Sequence, residues 1–133
     1  MKHAVVDTDV VSYAFSGGDR YEPFRPILSG VVPFISFMTY AELRHGALNR
    51  GWGNRRTEEL LRFIAANFAI VQSDQDVADA WARLRNDATR NGRVLSSADG
   101  WIAATASAHD LPLITNNLKD FRDLDRLVVL SPR

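Results

Sequence analysis

Ala4-Val5-Val6-Asp7-Thr8-Asp9-Val10-Val11-Ser12 decides how this chain is built. Ala4 to Val6 is an unbroken β-forming apolar run, the pattern of a parallel strand buried on both faces. Thr8 to Phe15 then reads as a short helix. A strand passing straight into a helix is the opening of an α/β sheet. The residue at the carboxyl end of such a strand faces the crevice where these sheets bind ligands. Here that residue is Asp7.

Outward from this unit, strand and helix patterns alternate. Tyr21 to Leu28 reads as a weak helix with Tyr21, Phe24, Ile27 and Leu28 on one face; Pro23 suits its first turn and Pro26 strains it. Val32 to Ser36 is a strand, Thr39 to about Asn49 a helix, and Gly51-Trp52-Gly53 a break. Arg55 to Phe68 is a helix and Ala69 to Val71 a strand. Asp74 to Thr89 is a helix with Val77, Trp81, Leu84 and Ala88 along one stripe, ended by Asn91-Gly92. Ala98 to Ala108 is a helix, and Leu111 to Thr115 and Leu127 to Leu130 are strands. Such alternation predicts one α/β domain over residues 1–133, with a mostly parallel sheet and helices on both faces. The length of 133 residues suits a single core.

Three further segments put oxygen-bearing side chains where Asp7 can meet them. Glu42 falls in the first turns of the helix after Val32 to Ser36. Asp99 opens the small-residue helix Ser97-Ala98-Asp99-Gly100-Trp101-Ile102-Ala103-Ala104. Thr115, Asn117 and Asp120 follow the strand at Leu111. Acids brought together from such distant positions repel one another, and a hard divalent cation such as Mg²⁺ or Mn²⁺ relieves the repulsion. Each residue also has an ordinary explanation. Asp7 or Thr8 can cap the following helix, and Asp99 can sit in a first turn behind Ser96. Glu42 can be a solvated helical acid, while Asn117 and Asp120 can be turn residues. The functional case rests on the joint pattern.

Composition narrows the classes. Sixteen basic residues balance sixteen acidic ones, which argues against a general nucleic-acid coat protein but not against an acidic-centred nuclease with basic flanks. Fourteen of the basic residues are Arg, many between Arg44 and Arg93, a residue that grips phosphate bidentately; acids interspersed among them can equally pair with them. There is no cysteine, so neither a disulfide nor a thiolate zinc site forms. The apolar stretch after Lys2 is broken by Asp7 and Asp9, no run approaches membrane-span length, and a cytoplasmic protein is expected.

The ordered set D-T-D-V-V-S (Asp7 to Ser12), A-E-L-x-x-G (Ala41 to Gly46), D-x-x-I-A-A-x-A (Asp99 to Ala106) and T-x-N-x-x-D-F (Thr115 to Phe121) resembles the PIN domain, and within it the VapC-type toxins of toxin–antitoxin pairs. The resemblance implies a three-layer α/β/α fold and a Mg²⁺- or Mn²⁺-dependent endoribonuclease leaving a 5′-phosphate and a 3′-hydroxyl. Asp7, Asp99 and Glu42 would hold the metal; Thr115 and Asn117 would complete the catalytic set. Asn117 stands where many members have an acid, which loosens any second metal. The partners implied are RNA, a VapB-type antitoxin, and a homodimer or toxin–antitoxin hetero-oligomer, with no membrane association. Tyr13, Phe15, Tyr21, Phe24, Phe37 and Tyr40 are either ordinary core packing or an apolar surface for the antitoxin, and apolar periodicity alone does not separate the two. Two other readings stay open. One is a haloacid-dehalogenase-type phosphatase, for which Asp7-Thr8-Asp9 fits but the intervening lysine is missing between Lys2 and Lys119. The other is a non-catalytic PIN-like binding module.

Overall fold

The computed structural model describes residues 2–132. Its strands β1 (Lys2–Val6), β2 (Val31–Ser36), β3 (Ala69–Val71), β4 (Leu113–Ile114) and β5 (Val129–Leu130) form one sheet in the order β3-β2-β1-β4-β5, parallel throughout. The helices are α1 (Thr8–Ser16), α2 (Arg25–Leu28), α3 (Phe37–Asn49), α4 (Asn54–Asn67), α5 (Gln75–Arg90), α6 (Ser97–Ala108) and α7 (Leu118–Phe121). The chain builds outward from β1 to β3 and then returns to lay β4 on the other side of β1. The strand order therefore reverses beside the carboxyl end of β1, which is where a crevice opens.

Alternation along β1 divides the core. Val5 joins Val77, Leu84, Ile102, Ala103 and Leu113 under α5 and α6. Ala4 and Val6 join Val10, Val11, Ile35, Leu43 and Ile64 under α1, α3 and α4. The expected α/β/α layering follows from this strand, whose neighbouring side chains point to opposite faces.

The weak helix over Tyr21 to Leu28 is instead two short pieces, a 3-10 turn at Glu22–Phe24 and then α2. Each contains a proline within its first two positions, where a missing N–H costs nothing. Two prolines three residues apart thus divide the segment into two helix starts. The strands read as Leu111 to Thr115 and Leu127 to Leu130 are shorter than their apolar runs. The α7 turn, read only as turn residues, follows Asn117 directly. Trp81 and Trp101 stack 4.9 Å apart on the α5–α6 seam, both half-buried rather than fully enclosed. Trp52 packs on Phe15 at 5.9 Å beneath the Arg56 guanidinium, so it anchors its loop.

Gly100 is where α5 and α6 touch. A Cβ there would lie 2.9 Å from Trp81 Nε1 and 3.0 Å from its Cδ1. That indole is held by its stack on Trp101 and donates to Ser97 O at 3.2 Å, so it yields poorly. Gly100→Ala is expected to destabilise by roughly 1–3 kcal/mol, read as a lower urea midpoint; an unchanged midpoint contradicts this packing account.

Candidate metal centre

Asp7 ends β1 and begins α1, and it is 4% exposed. Its Oδ1 accepts from the Thr8 amide at 2.8 Å, and its Oδ2 accepts from Thr115 Oγ1 at 2.7 Å. The capping explanation is therefore correct as far as it goes, but one oxygen is turned across the sheet to β4. Thr115 is itself fixed by accepting from the Asn117 amide at 2.9 Å. Asn117 Nδ2 donates to Asp9 Oδ2 at 3.0 Å, which ties the T-x-N motif to the first motif.

Glu42 lies in the second turn of α3, because Ser36 caps that helix by accepting from the Thr39 amide at 3.0 Å. Its Oε1 is 2.7 Å from Thr8 Oγ1, which is also 3.0 Å from Thr39 Oγ1. The single Thr8 proton belongs on the carboxylate, a pure acceptor, and Thr39 donates to Thr8 in turn. Thr8 thus holds Glu42 beside Asp7. In the sequence Thr8 reads only as a cap, and its place in the D-T-D triplet next to Asp7 is the signal that marks it. Asp99 occupies the first turn of α6, its amide held by Ser96 Oγ at 3.1 Å.

Electrostatics link these groups. Burial pushes the Asp7 carboxyl up from 3.8 to about 6, opposed by the hydrogen bonds from Thr115 and Thr8 and assisted by the charges of Asp9 and Asp99. Asp99 is also raised, chiefly by burial, against the Ser96 hydrogen bond and with help from Asp120, Glu42 and Asp9. Among the described residues none of these acids makes a salt bridge. Nor do three of them, or any other three His, Asp or Glu side chains, already stand as a ready-made ligand cage. An all-oxygen donor set, mutually repelling and without a salt-bridge partner among the described residues, suits a hard ion that keeps several waters and takes one or two carboxylates, as Mg²⁺ does. The residues fit such an ion, with the buried Asp7 and the half-buried Asp99 as donors.

The PIN domain family model matches residues 4–127. The chain belongs to the PIN domain family. Ribonuclease VapC5 of Mycobacterium tuberculosis is 36% identical to this PIN domain over 124 residues, covering 91% of this chain and 87% of the relative. A toxin–antitoxin complex from Klebsiella pneumoniae contains a chain 30% identical with a TM-score of 0.71, covering 98% of each. The VapBC2 structure from Rickettsia felis, bound to a DNA fragment from its promoter, reaches a TM-score of 0.84 at 22% identity, covering 98% of this chain and 99% of that one. That last likeness establishes the shared fold.

The raised Asp7 group makes stability pH-dependent. Its folded-state value lies above its ordinary one, so the folded protein binds the extra proton between the two. The stabilisation is complete below about 3.8 and is lost as pH rises through about 6. A shift of that size is worth about 3 kcal/mol. Metal-free wild type should therefore lose stability over this window relative to Asp7→Asn, measured by urea unfolding at a series of pH values. Parallel profiles for the two proteins would contradict the assignment.

Proposed function

We propose that this PIN domain is a Mg²⁺- or Mn²⁺-dependent endoribonuclease and the toxin of a toxin–antitoxin pair. The observation that carries the reading is the buried Asp7 carboxylate, held by Thr115 and Thr8, amid acids that form no salt bridge among the described residues. A docking module has no need of so costly an arrangement. The phosphatase alternative loses its footing because the whole-length family match is to PIN domains and the required lysine is missing. The names of the VapC5 relative and the Klebsiella complex support both the ribonuclease and the toxin reading.

In this reading Asp7 and Asp99 hold the cation and Glu42 completes the acidic pocket. Bound there, Mg²⁺ or Mn²⁺ supplies a water of lowered pKa and neutralises charge on the phosphate oxygens. Thr115 directs the Asp7 oxygens by donating to Oδ2, and Asn117 keeps Thr115 in place. Thr8 engages Glu42 Oε1 and leaves the other carboxylate oxygen to orient the attacking water and take its proton. In-line attack would leave a 5′-phosphate and a 3′-hydroxyl.

For the partner, a groove of about 290 Å³ lies between α1, α2 and α4, with Ala14, Tyr21, Leu28, Phe63 and Phe68 in its walls. It suits an apolar segment of a VapB-type antitoxin. Of the six aromatics, Phe24 takes the core-packing alternative: it is 1% exposed. Phe37 packs 5.5 Å from Trp101, towards α6 rather than this groove. Assembly as a homodimer or with the antitoxin is part of the proposal. Among the described residues no helix is long and apolar enough to cross a membrane.

Asp7→Asn, Glu42→Gln and Asp99→Asn should each abolish RNA cleavage while leaving a cooperative thermal transition. Mg²⁺ or Mn²⁺ should raise the melting temperature of wild type but not of Asp7→Asn, since only a native-state ligand stabilises by mass action. Cleavage that persists in EDTA, or an equal metal-induced shift in both proteins, contradicts the proposal. A second expectation concerns Thr8: Thr8→Val should slow cleavage roughly 10–100-fold with the metal-induced melting shift retained. An unchanged cleavage rate would show that Glu42 does not need this hydroxyl.

A further inference from the structure

The A-E-L-x-x-G motif contains one residue that the acidic centre does not explain. Gly46 lies inside α3, where glycine weakens a helix relative to alanine. The space above it supplies a reason: a Cβ at this position would lie 3.0 Å from Arg50 Nη1. Glu42, Gly46 and Arg50 are spaced four apart, on one stripe of the helix. With no side chain at 46, the Arg50 guanidinium lies back over that position, 5.7 Å from the Trp52 ring centroid.

There it walls a cavity of about 510 Å³ shared with Asp9, Ser12, Tyr13 and Arg20. Tyr13 and Arg20 also line the adjoining cavity of about 630 Å³, together with Asn116. The two cavities lead away from Asp9 and so from the acidic centre. Among the described residues neither Arg20 nor Arg50 forms a salt bridge, whereas Arg55, Arg56 and Arg62 are matched by Glu58 or Glu59 on their own helix. Arg20 lies over the Tyr13 ring at 5.7 Å, and Asn116 Nδ2 donates to the Tyr13 hydroxyl at 3.3 Å. Asp9 and Asp19 also line the first cavity, so its formal charge balances. Selection for an anion must then come from the directed forks of two guanidinium groups, which meet the paired non-bridging oxygens of a phosphodiester. An Arg over a half-buried aromatic ring that lines the cavity, with an amide at its edge, is a platform for a stacked base.

We propose that this groove is a subsite for single-stranded RNA flanking the cleavage point, with a backbone phosphate between Arg20 and Arg50, the neighbouring base on Tyr13, and Gly46 kept bare so that Arg50 can reach it. The proposal rests on the nuclease reading above, and Arg50 and Gly46 act in substrate binding rather than in the chemistry.

The test is fluorescence anisotropy with a labelled, mixed-sequence single-stranded RNA, in an Asp99→Asn background so that nothing is cleaved, over a range of salt concentrations. Arg50→Ala is expected to weaken binding about tenfold and to reduce the salt slope by about one. Gly46→Ala should weaken binding similarly while its melting temperature holds or rises, because only the flexible end of Arg50 is displaced. Combined, the two substitutions should cost no more than Arg50→Ala alone. Arg55→Ala, which removes an exposed charge elsewhere, should change neither quantity. If RNA binds and the Arg50 and Gly46 variants bind it as well as their parent does, the subsite is wrong and the nuclease reading stands. If the Asp99→Asn protein binds no RNA at all, the nuclease reading itself fails and the subsite with it. Arg50-dependent binding of polyglutamate as strong as that of RNA would assign the groove to an acidic protein segment and overturn the phosphate assignment.

Discussion

A carboxylate at the end of the central strand, almost wholly removed from water, is the constraint around which the rest of this molecule is arranged. Asp7 is placed there by β1, whose side chains are committed to the cores on both sides of the sheet. It cannot turn to solvent without displacing that strand or the helix that starts behind it. Its hydrogen bonds from Thr115 and Thr8 lower the cost of ionisation, yet burial remains the larger effect and holds the group near 6. The charges of Asp9 and Asp99 push it the same way. The fold therefore carries a local instability that a cation is suited to relieve, and the site and the sheet topology are two aspects of one placement.

The threonines give this placement its definition. Thr115 reaches Asp7 from just past β4, and Thr8 reaches Glu42 from α1, so each acid is fixed by a hydroxyl from another part of the chain. A buried hydroxyl network has few alternative arrangements when each proton has one acceptor. The consequence is a crevice whose acids are oriented before any ligand arrives. Stability and function pull in opposite directions here: neutralising Asp7 should favour the empty fold and remove the site's affinity for a cation.

Much of this was legible in the sequence because strand and helix periods differ. The run Ala4 to Val6 and the stripe Val77, Leu84, Ala88 announce a buried strand and an amphipathic helix, and all of these side chains are in the core. Asp7 at a strand end was legible for the same reason. The parts that were not legible depend on contacts between distant segments. Nothing local indicates that Thr8 faces Glu42, or that Arg50 lies over Gly46. The segment from Tyr21 to Leu28 misled because its apolar spacing suits a helix while its two prolines each suit only a first turn. Apolar pattern alone leaves Phe24 between core and partner surface, and the packing of α1 against this segment decides for the core. The parallel register could be expected from the βα alternation, whereas the reversal of strand order beside β1 is a property of the assembled sheet.

The direct measurement is a carbon-detected NMR titration of the Asp7 carboxyl, assigned through Asp7→Asn, with and without Mg²⁺. The account predicts a midpoint near 6 in the metal-free protein and a downward move on adding Mg²⁺, because a bound cation favours the ionised carboxylate. A metal-free midpoint in the ordinary aspartate range, or one that Mg²⁺ leaves in place, would contradict it.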